Sequence, residues 1–132
     1  MNGIDTNILV RFFMQDNTSQ FNLSRQFLLM ECSRSQPGYI NTIVLCELIW
    51  TLKRTYKLKR EQLILIIEQL LDVEQAIIEE QDLVRRALKD FRFSKADFAD
   101  CLIGQKNLKA GCKQTITFDR TAASLDSFEP LS

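Results

Sequence analysis

Five acidic residues stand in settings where a carboxylate could take part in chemistry: Asp5, Glu47, Asp97, Asp100 and Asp119. The 132-residue chain has no histidine, no G-x-S-x-G motif and no glycine-rich phosphate loop, so the common sites built on those features are excluded. Carboxylates held close together repel one another unless a divalent cation neutralises them, and oxygen ligands suit Mg²⁺ or Mn²⁺. A metal-activated water can then attack a phosphodiester, which is the chemistry these residues predict.

Asp5 and Asp119 each follow a short stretch that is expected to form a strand. Asp5 comes between a lead-in ending at Ile4 and an apolar run over 8–13, which predicts a position between the first strand and the first helix. Open α/β sheets bind their ligands at that edge. Asp119 repeats this placement after residues 115–118, although a turn or helix N-cap residue is an alternative interpretation.

Small polar residues beside these two acids also have two interpretations. Thr6 and Asn7 follow Asp5, and Thr117 lies two positions before Asp119. Their side chains could bind a water or a phosphate oxygen. Local capping is the simpler explanation for Thr6 and Asn7.

Glu47 is the only charged side chain in the apolar stretch 43–50, which predicts a helix that is buried almost all round. A buried carboxylate needs a cation or hydrogen-bond donors, because burial without them costs several kcal/mol. Thr51 and Arg54 fall on the same helical stripe as Glu47. Glu47 is therefore a metal ligand facing a cleft, one half of a structural pair with Arg54, or a residue at the rim of the buried face.

Asp97 and Asp100 are three residues apart in a predicted helix and so share a face. Ser94 followed by Asp97 resembles a capping box, which would explain Asp97 by helix-start chemistry alone. Asp100 is expected beyond the first turn, where capping does not account for it, and is the better candidate for a ligand. Gly104 continues the same stripe and is expected to leave room beside the carboxylates.

Short β-prone stretches alternate with helical patterns along the chain, which predicts a parallel sheet covered by helical crossovers and hence the α/β class. The expected strands end at Ile4 and cover 39–40, 76–78 and 114–118. The expected helices cover 8–13, a segment from 16–19 to about 35, 43–56, 61–71, 81–91 and 94–111.

Length and charge indicate one globular domain over residues 1–132 with no overall preference for an anionic partner. The net charge is zero, from 17 basic and 17 acidic residues. The charges are segregated, with a basic block over 53–60 and an acidic block over 72–82. The simplest explanation of both blocks is that they form solvent-exposed surfaces. The basic block could alternatively contact a phosphate backbone.

The four cysteines show no C-x-x-C pairing, and we expect them to be reduced thiols that behave as small apolar residues in a cytoplasmic protein. Zinc sites of the common kinds lack the necessary spacing. Neither a signal peptide nor a membrane-spanning segment is expected, so no membrane partner is predicted.

Four stretches occur in an order that resembles a known family. They are Asp5-Thr6-Asn7-Ile8-Leu9-Val10-Arg11, Thr42 through Glu47-Leu48, Ala96-Asp97-Phe98-Ala99-Asp100-Cys101-Leu102-Ile103, and Thr117-Phe118-Asp119-Arg120. Together they resemble the successive motifs of PIN-domain ribonucleases, specifically the toxin subunit of VapBC toxin–antitoxin pairs. The likeness spans nearly the whole chain.

The resemblance implies a three-layer α/β/α sandwich around a short, mainly parallel sheet, and a Mg²⁺- or Mn²⁺-dependent endoribonuclease. It also implies a homodimer inhibited by a cognate VapB-like antitoxin, with operator DNA bound only through that antitoxin. The residues it assigns are a metal-binding quartet of Asp5, Glu47, Asp100 and Asp119, an additional acid at Asp97, and hydroxyls near the metal at Thr6 and Thr117.

These motifs do not indicate whether the RNA substrate is a tRNA, a ribosomal RNA or a messenger RNA. The main alternative is a non-catalytic PIN-like module that binds RNA or protein. A Mg²⁺-dependent phosphatase or a phosphoacceptor receiver is less consistent with the sequence, because Asp5-Thr6-Asn7 is neither a D-x-D motif nor an acid pair.

Overall fold

Helices alternate with short parallel strands in the computed structural model, which describes residues 1–132. The chain divides into two units, Met1–Glu79 and Glu80–Ser132. Both units contain parallel strand pairs, and the predicted α/β class is confirmed. The longest helices have 13 residues, and none has the length and apolar character needed to span a membrane.

The first unit is built on a three-stranded parallel sheet in the order β1 (Asn2–Gly3), β2 (Gly38–Ile40) and β3 (Ala76–Ile78). In the register, Gly3 lies opposite Tyr39, which in turn lies opposite Ile77. Its α-helices are α1 (Thr6–Met14), α2 (Thr18–Arg25), α3 (Thr42–Arg54) and α4 (Arg60–Asp72). The ends of α3 and α4 agree with the sequence predictions to within two residues, and β3 agrees at both ends.

Helix α2 continues as a π-helix over Gln26–Glu31, and its last bond runs from the amide of Cys32 to the carbonyl of Phe27 at 2.9 Å. The prediction that this helix extends to about residue 35 is wrong. Ser33 ends it, because its amide donates to the carbonyl of Gln36 and its hydroxyl accepts from the amide of Gln36, which closes a turn.

Close packing in the first unit depends on a glycine at the start of β2. A Cβ atom at Gly38 would lie 2.3 Å from Cδ1 of Ile4, so no larger residue fits there without moving that side chain. The core is formed mainly by the apolar faces of α3 and α4, where Leu45, Leu52 and Ile67 are fully buried. Burial of the apolar faces of α3 and α4 is therefore a main source of stability for the unit that contains Asp5 and Glu47.

The second unit contains α5 (Gln81–Arg92), α6 (Phe98–Lys109), β4 (Thr115–Thr117) and β5 (Phe128–Pro130). A 3₁₀ turn over Ala122–Ser124 precedes β5, and β4 and β5 pair in parallel. Strand β5 is not predicted by the sequence, since three residues ending in proline give no alternating pattern.

Candidate active site

Asp5 is the N-cap residue of α1 and lies between the first strand and the first helix, as the sequence predicts, although β1 ends at Gly3, one residue before the predicted end at Ile4. Its backbone is extended, with φ −82° and ψ 159°, and its Oδ1 accepts a hydrogen bond of 2.8 Å from the amide of Thr6. The start of a helix favours a negative charge, because the first amides point toward it. The side chain is exposed, so it is accessible to an ion or a substrate.

Glu47 lies on the exposed face of α3, so the prediction of a buried carboxylate is wrong. The helix buries one face, and the other exposes Ile43 at 71% and Trp50 at 60%. Oε1 of Glu47 accepts a hydrogen bond of 2.8 Å from the hydroxyl of Thr6. The N-cap residue of α1 is Asp5, and the hydroxyl of Thr6 contacts Glu47, so the interpretation of Thr6 as a local cap is wrong.

Arg54 lies over the ring of Trp50, with its guanidinium carbon 5.4 Å from the ring centroid. The suggested structural pair between Glu47 and Arg54 is not the arrangement that the structure describes, because the contact of Glu47 is with Thr6. Glu47 thus contacts Thr6 of α1, and Trp50 and Arg54 form a separate contact within α3.

The start of α3 is fixed by two side chains. Oδ1 of Asn41 accepts from the amide of Val44 at 2.8 Å, as an N-cap residue does. Oε1 of Glu79, the residue after β3, accepts from the amide of Thr42 at 2.9 Å and from its hydroxyl at 3.1 Å. Glu79 therefore holds the helix that carries Glu47 against the end of a strand.

Sequence reasoning missed Glu79, although a signal for it was present. Glu79 directly follows a predicted strand over 76–78, which is the same placement that identified Asp5 and Asp119. Its role in the structure is to position α3 through Thr42, so an acid at a strand end need not face a substrate.

The helix carrying Asp100 begins at Phe98 with Asp97 as its N-cap residue, so it starts three residues later than a cap at Ser94 predicts. Ser94 accepts a hydrogen bond from the amide of Ala96 and does not cap this helix. Asp97 is the N-cap residue by position, with φ −67° and ψ 150°, but its side chain makes no capping hydrogen bond. Asp100 lies in the first turn, so the expectation that it lies beyond that turn is wrong.

Asp100 is half-buried, and burial raises the pKa of its carboxyl above the usual value. The negative charges of Asp119 and then of Asp97 raise this pKa further. In the second unit, Asp119 and Asp97 are therefore each within electrostatic range of Asp100. Mutual repulsion of this kind is relieved when a cation binds.

Asp119 caps the turn that follows β4, because its Oδ1 accepts from the amides of Thr121 at 2.8 Å and Ala122 at 3.0 Å. The amide of Asp119 donates to the hydroxyl of Thr117 at 2.9 Å. The interpretation of Asp119 as a turn or capping residue is thus confirmed. These amides fix the orientation of the Asp119 carboxylate.

Gly104 is buried, and it does not leave room beside the carboxylates as expected. A Cβ atom at this position would lie 2.2 Å from the hydroxyl oxygen of Ser127 and 2.9 Å from the ring of Phe128. The glycine is required because α6 packs directly on the segment that enters β5.

The side chains present fit a hard divalent cation in their chemistry, since their donor atoms are carboxylate and hydroxyl oxygens. The crowding of negative charge around Asp100 is the observation that supports this fit. Within either unit alone, no group of three or more acidic or cysteine side chains is close enough to hold a metal ion.

The family model of the PIN domain matches residues 4–127, and the chain belongs to that family. The predicted resemblance and the PIN-like α/β/α fold are therefore confirmed. The chain is also similar to a protein named VapC ribonuclease from Aquifex aeolicus (strain VF5). The two are 27% identical over 120 residues, which cover 91% of this chain and 88% of the relative.

Proposed function

We propose that this protein is a Mg²⁺- or Mn²⁺-dependent endoribonuclease that acts as the toxin of a toxin–antitoxin pair. The observation that carries the proposal is the hydrogen bond from Thr6 to Glu47, because it ties the residue next to Asp5 to a second exposed acid 41 positions away. The name of the similar Aquifex aeolicus protein supports RNA as the substrate.

The acids that would hold the ion are Asp5, Glu47, Asp100 and Asp119, with Asp97 as an additional candidate. When bound, such an ion would supply an activated water for attack on phosphorus and positive charge to stabilise the transition state. A site of this kind needs no histidine, which agrees with the composition of the chain.

The described contacts suggest what individual side chains contribute. Thr6 orients the Glu47 carboxylate, and the first amide of α1 orients Asp5. The amides of Thr121 and Ala122 hold one oxygen of Asp119. Ligands fixed in advance lose little conformational freedom when a metal binds, which favours binding.

The direct test is cleavage of cellular RNA by the purified protein with Mg²⁺ or Mn²⁺, with and without EDTA. We expect cleavage that EDTA abolishes and that Asp5→Asn removes. Glu61→Gln is a matched control, since it neutralises an exposed acid in the first turn of α4 in the same unit. RNA binding without cleavage would favour the non-catalytic module, and full activity of Asp5→Asn would contradict the proposed metal site.

Partners are part of the same proposal. A VapB-like antitoxin and a second copy of the chain are the expected protein partners, and the name of the relative supports the first of them. Sedimentation of the purified chain tests the dimer, and a concentration-independent monomer would contradict it. Loss of RNA cleavage after addition of the product of an adjacent short reading frame would support the antitoxin.

A further inference from the structure

The exposed face of α3 carries more than Glu47. Ile43, Glu47, Trp50 and Arg54 follow one another at intervals of four, three and four residues, which places them on one stripe of the helix. Trp50 is therefore on the turn next to Glu47. Its exposed fraction of 60% is large for a tryptophan, which is usually covered when it serves only the core.

Arg54 holds this tryptophan in a defined position. Its guanidinium carbon lies 5.4 Å from the ring centroid, within the range of a cation–π contact. The pair presents an aromatic ring and a cation at the same place on the surface. This combination recurs where proteins stack unpaired bases and neutralise the adjoining phosphate.

Positive charge continues beyond the pair. Lys53, Lys57 and Lys59 are exposed in and after the last turn of α3, and no acid interrupts the sequence from Lys53 to Arg60. The whole chain has no net charge, so this basic segment is a local feature. It provides an electrostatic contact for a polyanion next to the aromatic ring.

We propose that Trp50 and Arg54 form a stacking platform for an unpaired base of the RNA substrate, one helical turn from Glu47. The inference rests on the proposed function, which supplies the substrate class. Trp50 contacts the base and Arg54 the base or its phosphate, so both residues act in binding and leave the chemical step to the acids. Stacking tolerates any base, because every base has a π-face, so the platform would select single-stranded over paired RNA.

A second copy of the chain is the competing occupant of this face. The centres of protein–protein interfaces are depleted of lysine, whereas Trp50 is followed in the chain by the exposed lysines Lys53, Lys57 and Lys59. Like charges would also repel if the same face met itself in a symmetric dimer. The charge of the segment therefore favours RNA.

The test uses Trp50 as its own reporter, because it is the single tryptophan of the chain. The Asp100→Asn protein in EDTA is titrated with a single-stranded oligoribonucleotide and, separately, with the same sequence as a duplex. We expect saturable quenching of tryptophan emission by the single strand and much weaker quenching by the duplex.

Affinity for fluorescently labelled single-stranded RNA is then compared among variants. We expect Trp50→Leu to weaken binding about tenfold, Trp50→Phe to retain most of the affinity, and Arg54→Gln to weaken it. The matched controls are Leu23→Ala, which removes a side chain that is 68% exposed, and Arg25→Gln, which removes an exposed cation of α2. Neither control should change affinity.

Unchanged affinity of Trp50→Leu together with no quenching would overturn the platform, even if the wild-type protein cleaves RNA. Emission that changes with protein concentration and not with RNA would overturn it in favour of an interface between copies. If RNA quenches the tryptophan emission of the wild-type protein but is not cleaved by it, the platform is supported and the proposed nuclease is contradicted. The two proposals can therefore fail separately.

Discussion

The hydroxyl of Thr6 donates a hydrogen bond of 2.8 Å to Oε1 of Glu47, which connects the start of α1 to the middle of α3. Both residues belong to the first unit, and Thr6 is adjacent to Asp5 in the chain. The bond fixes one of the two oxygens of the glutamate. Loss of this hydrogen bond should therefore lower the nuclease activity more than it lowers the stability of the fold.

We expect Thr6→Val to lower nuclease activity about tenfold, since side chains that orient metal ligands typically contribute on this scale. Thr6→Ser keeps the hydroxyl and should retain most of the activity. The measurement is the initial rate of RNA cleavage together with the melting temperature of each variant. Wild-type activity of Thr6→Val would mean that Glu47 needs no such orientation.

Asp100→Asn should stabilise the metal-free protein at neutral pH. Burial and the charges of Asp119 and Asp97 raise the folded-state pKa of Asp100 above its ordinary value of 3.8, so the folded protein holds this proton more tightly than the unfolded chain. The contribution of Asp100 to the free energy of unfolding is therefore most favourable below pH 3.8 and falls as pH rises through the folded-state pKa. Asparagine does not titrate, so the Asp100→Asn variant lacks this fall. Urea unfolding in EDTA, from below pH 3.8 to neutral pH, measures the free energy of unfolding of both proteins. The same dependence on pH in the wild type and in Asp100→Asn would contradict the prediction.

Addition of Mg²⁺ or Mn²⁺ gives the complementary measurement on the same variant. A ligand that binds only the folded state raises the melting temperature. We expect this rise for the wild-type protein and a smaller one for Asp100→Asn. An equal rise in both would remove Asp100 from the proposed metal ligands.

Glu80 should stabilise the second unit in a pH-dependent way. Its oxygens accept hydrogen bonds from Lys106 at 2.5 Å and Lys109 at 2.9 Å, and these contacts lower its pKa from 4.5 to about 2. Its contribution is complete above pH 4.5 and is lost as pH falls toward 2. The difference in unfolding free energy between wild type and Glu80→Gln should shrink over that range, and a difference that does not change with pH would contradict the prediction.

Gly104→Ala should destabilise the protein by about 1–3 kcal/mol, the usual cost of overpacking. The new methyl group would overlap the hydroxyl oxygen of Ser127 and approach the ring of Phe128. Gly3→Ala is the matched control, because a Cβ atom there has no neighbour within 4 Å. Chemical denaturation of both variants checks the prediction, which would fail if they were equally stable.

Gln15→Gly should stabilise the first unit by about 1 kcal/mol, because Gln15 ends α1 with a left-handed φ of 53° that glycine adopts without strain. Gln26→Gly is the opposite case, since Gln26 has a helical φ of −59° inside a continuous helical segment. That substitution should lower stability. Melting temperatures of the two variants should therefore move in opposite directions.

Much of the fold could be predicted from the sequence because its signals are local. The strand Ala76–Ile78 and the start of α5 at Gln81 were predicted at the observed residues, and the position of Asp5 between a strand and a helix was also correct. Apolar runs and turn residues determine such features without reference to the rest of the chain.

The errors concern features that depend on neighbours. Residues 43–50 are almost entirely apolar, yet Ile43 and Trp50 are exposed, because only one face of α3 packs on the core. Ser94 and Asp97 are both good cap residues, and their types do not decide which of them precedes the helix. Whether a glycine makes space or removes it, as at Gly104, depends on a segment more than twenty residues later in the chain.

The π-helical turn over Gln26–Glu31 also has a consequence for how the chain can vary in length. A π-turn is equivalent to an α-helix that has accommodated one additional residue. Deletion of one residue within this turn would restore ordinary α-helical hydrogen bonding and leave the turn at Ser33 and strand β2 in place. The segment is thus a point inside a helix of the first unit where a change in chain length of one residue could be absorbed without moving Asp5 or Glu47.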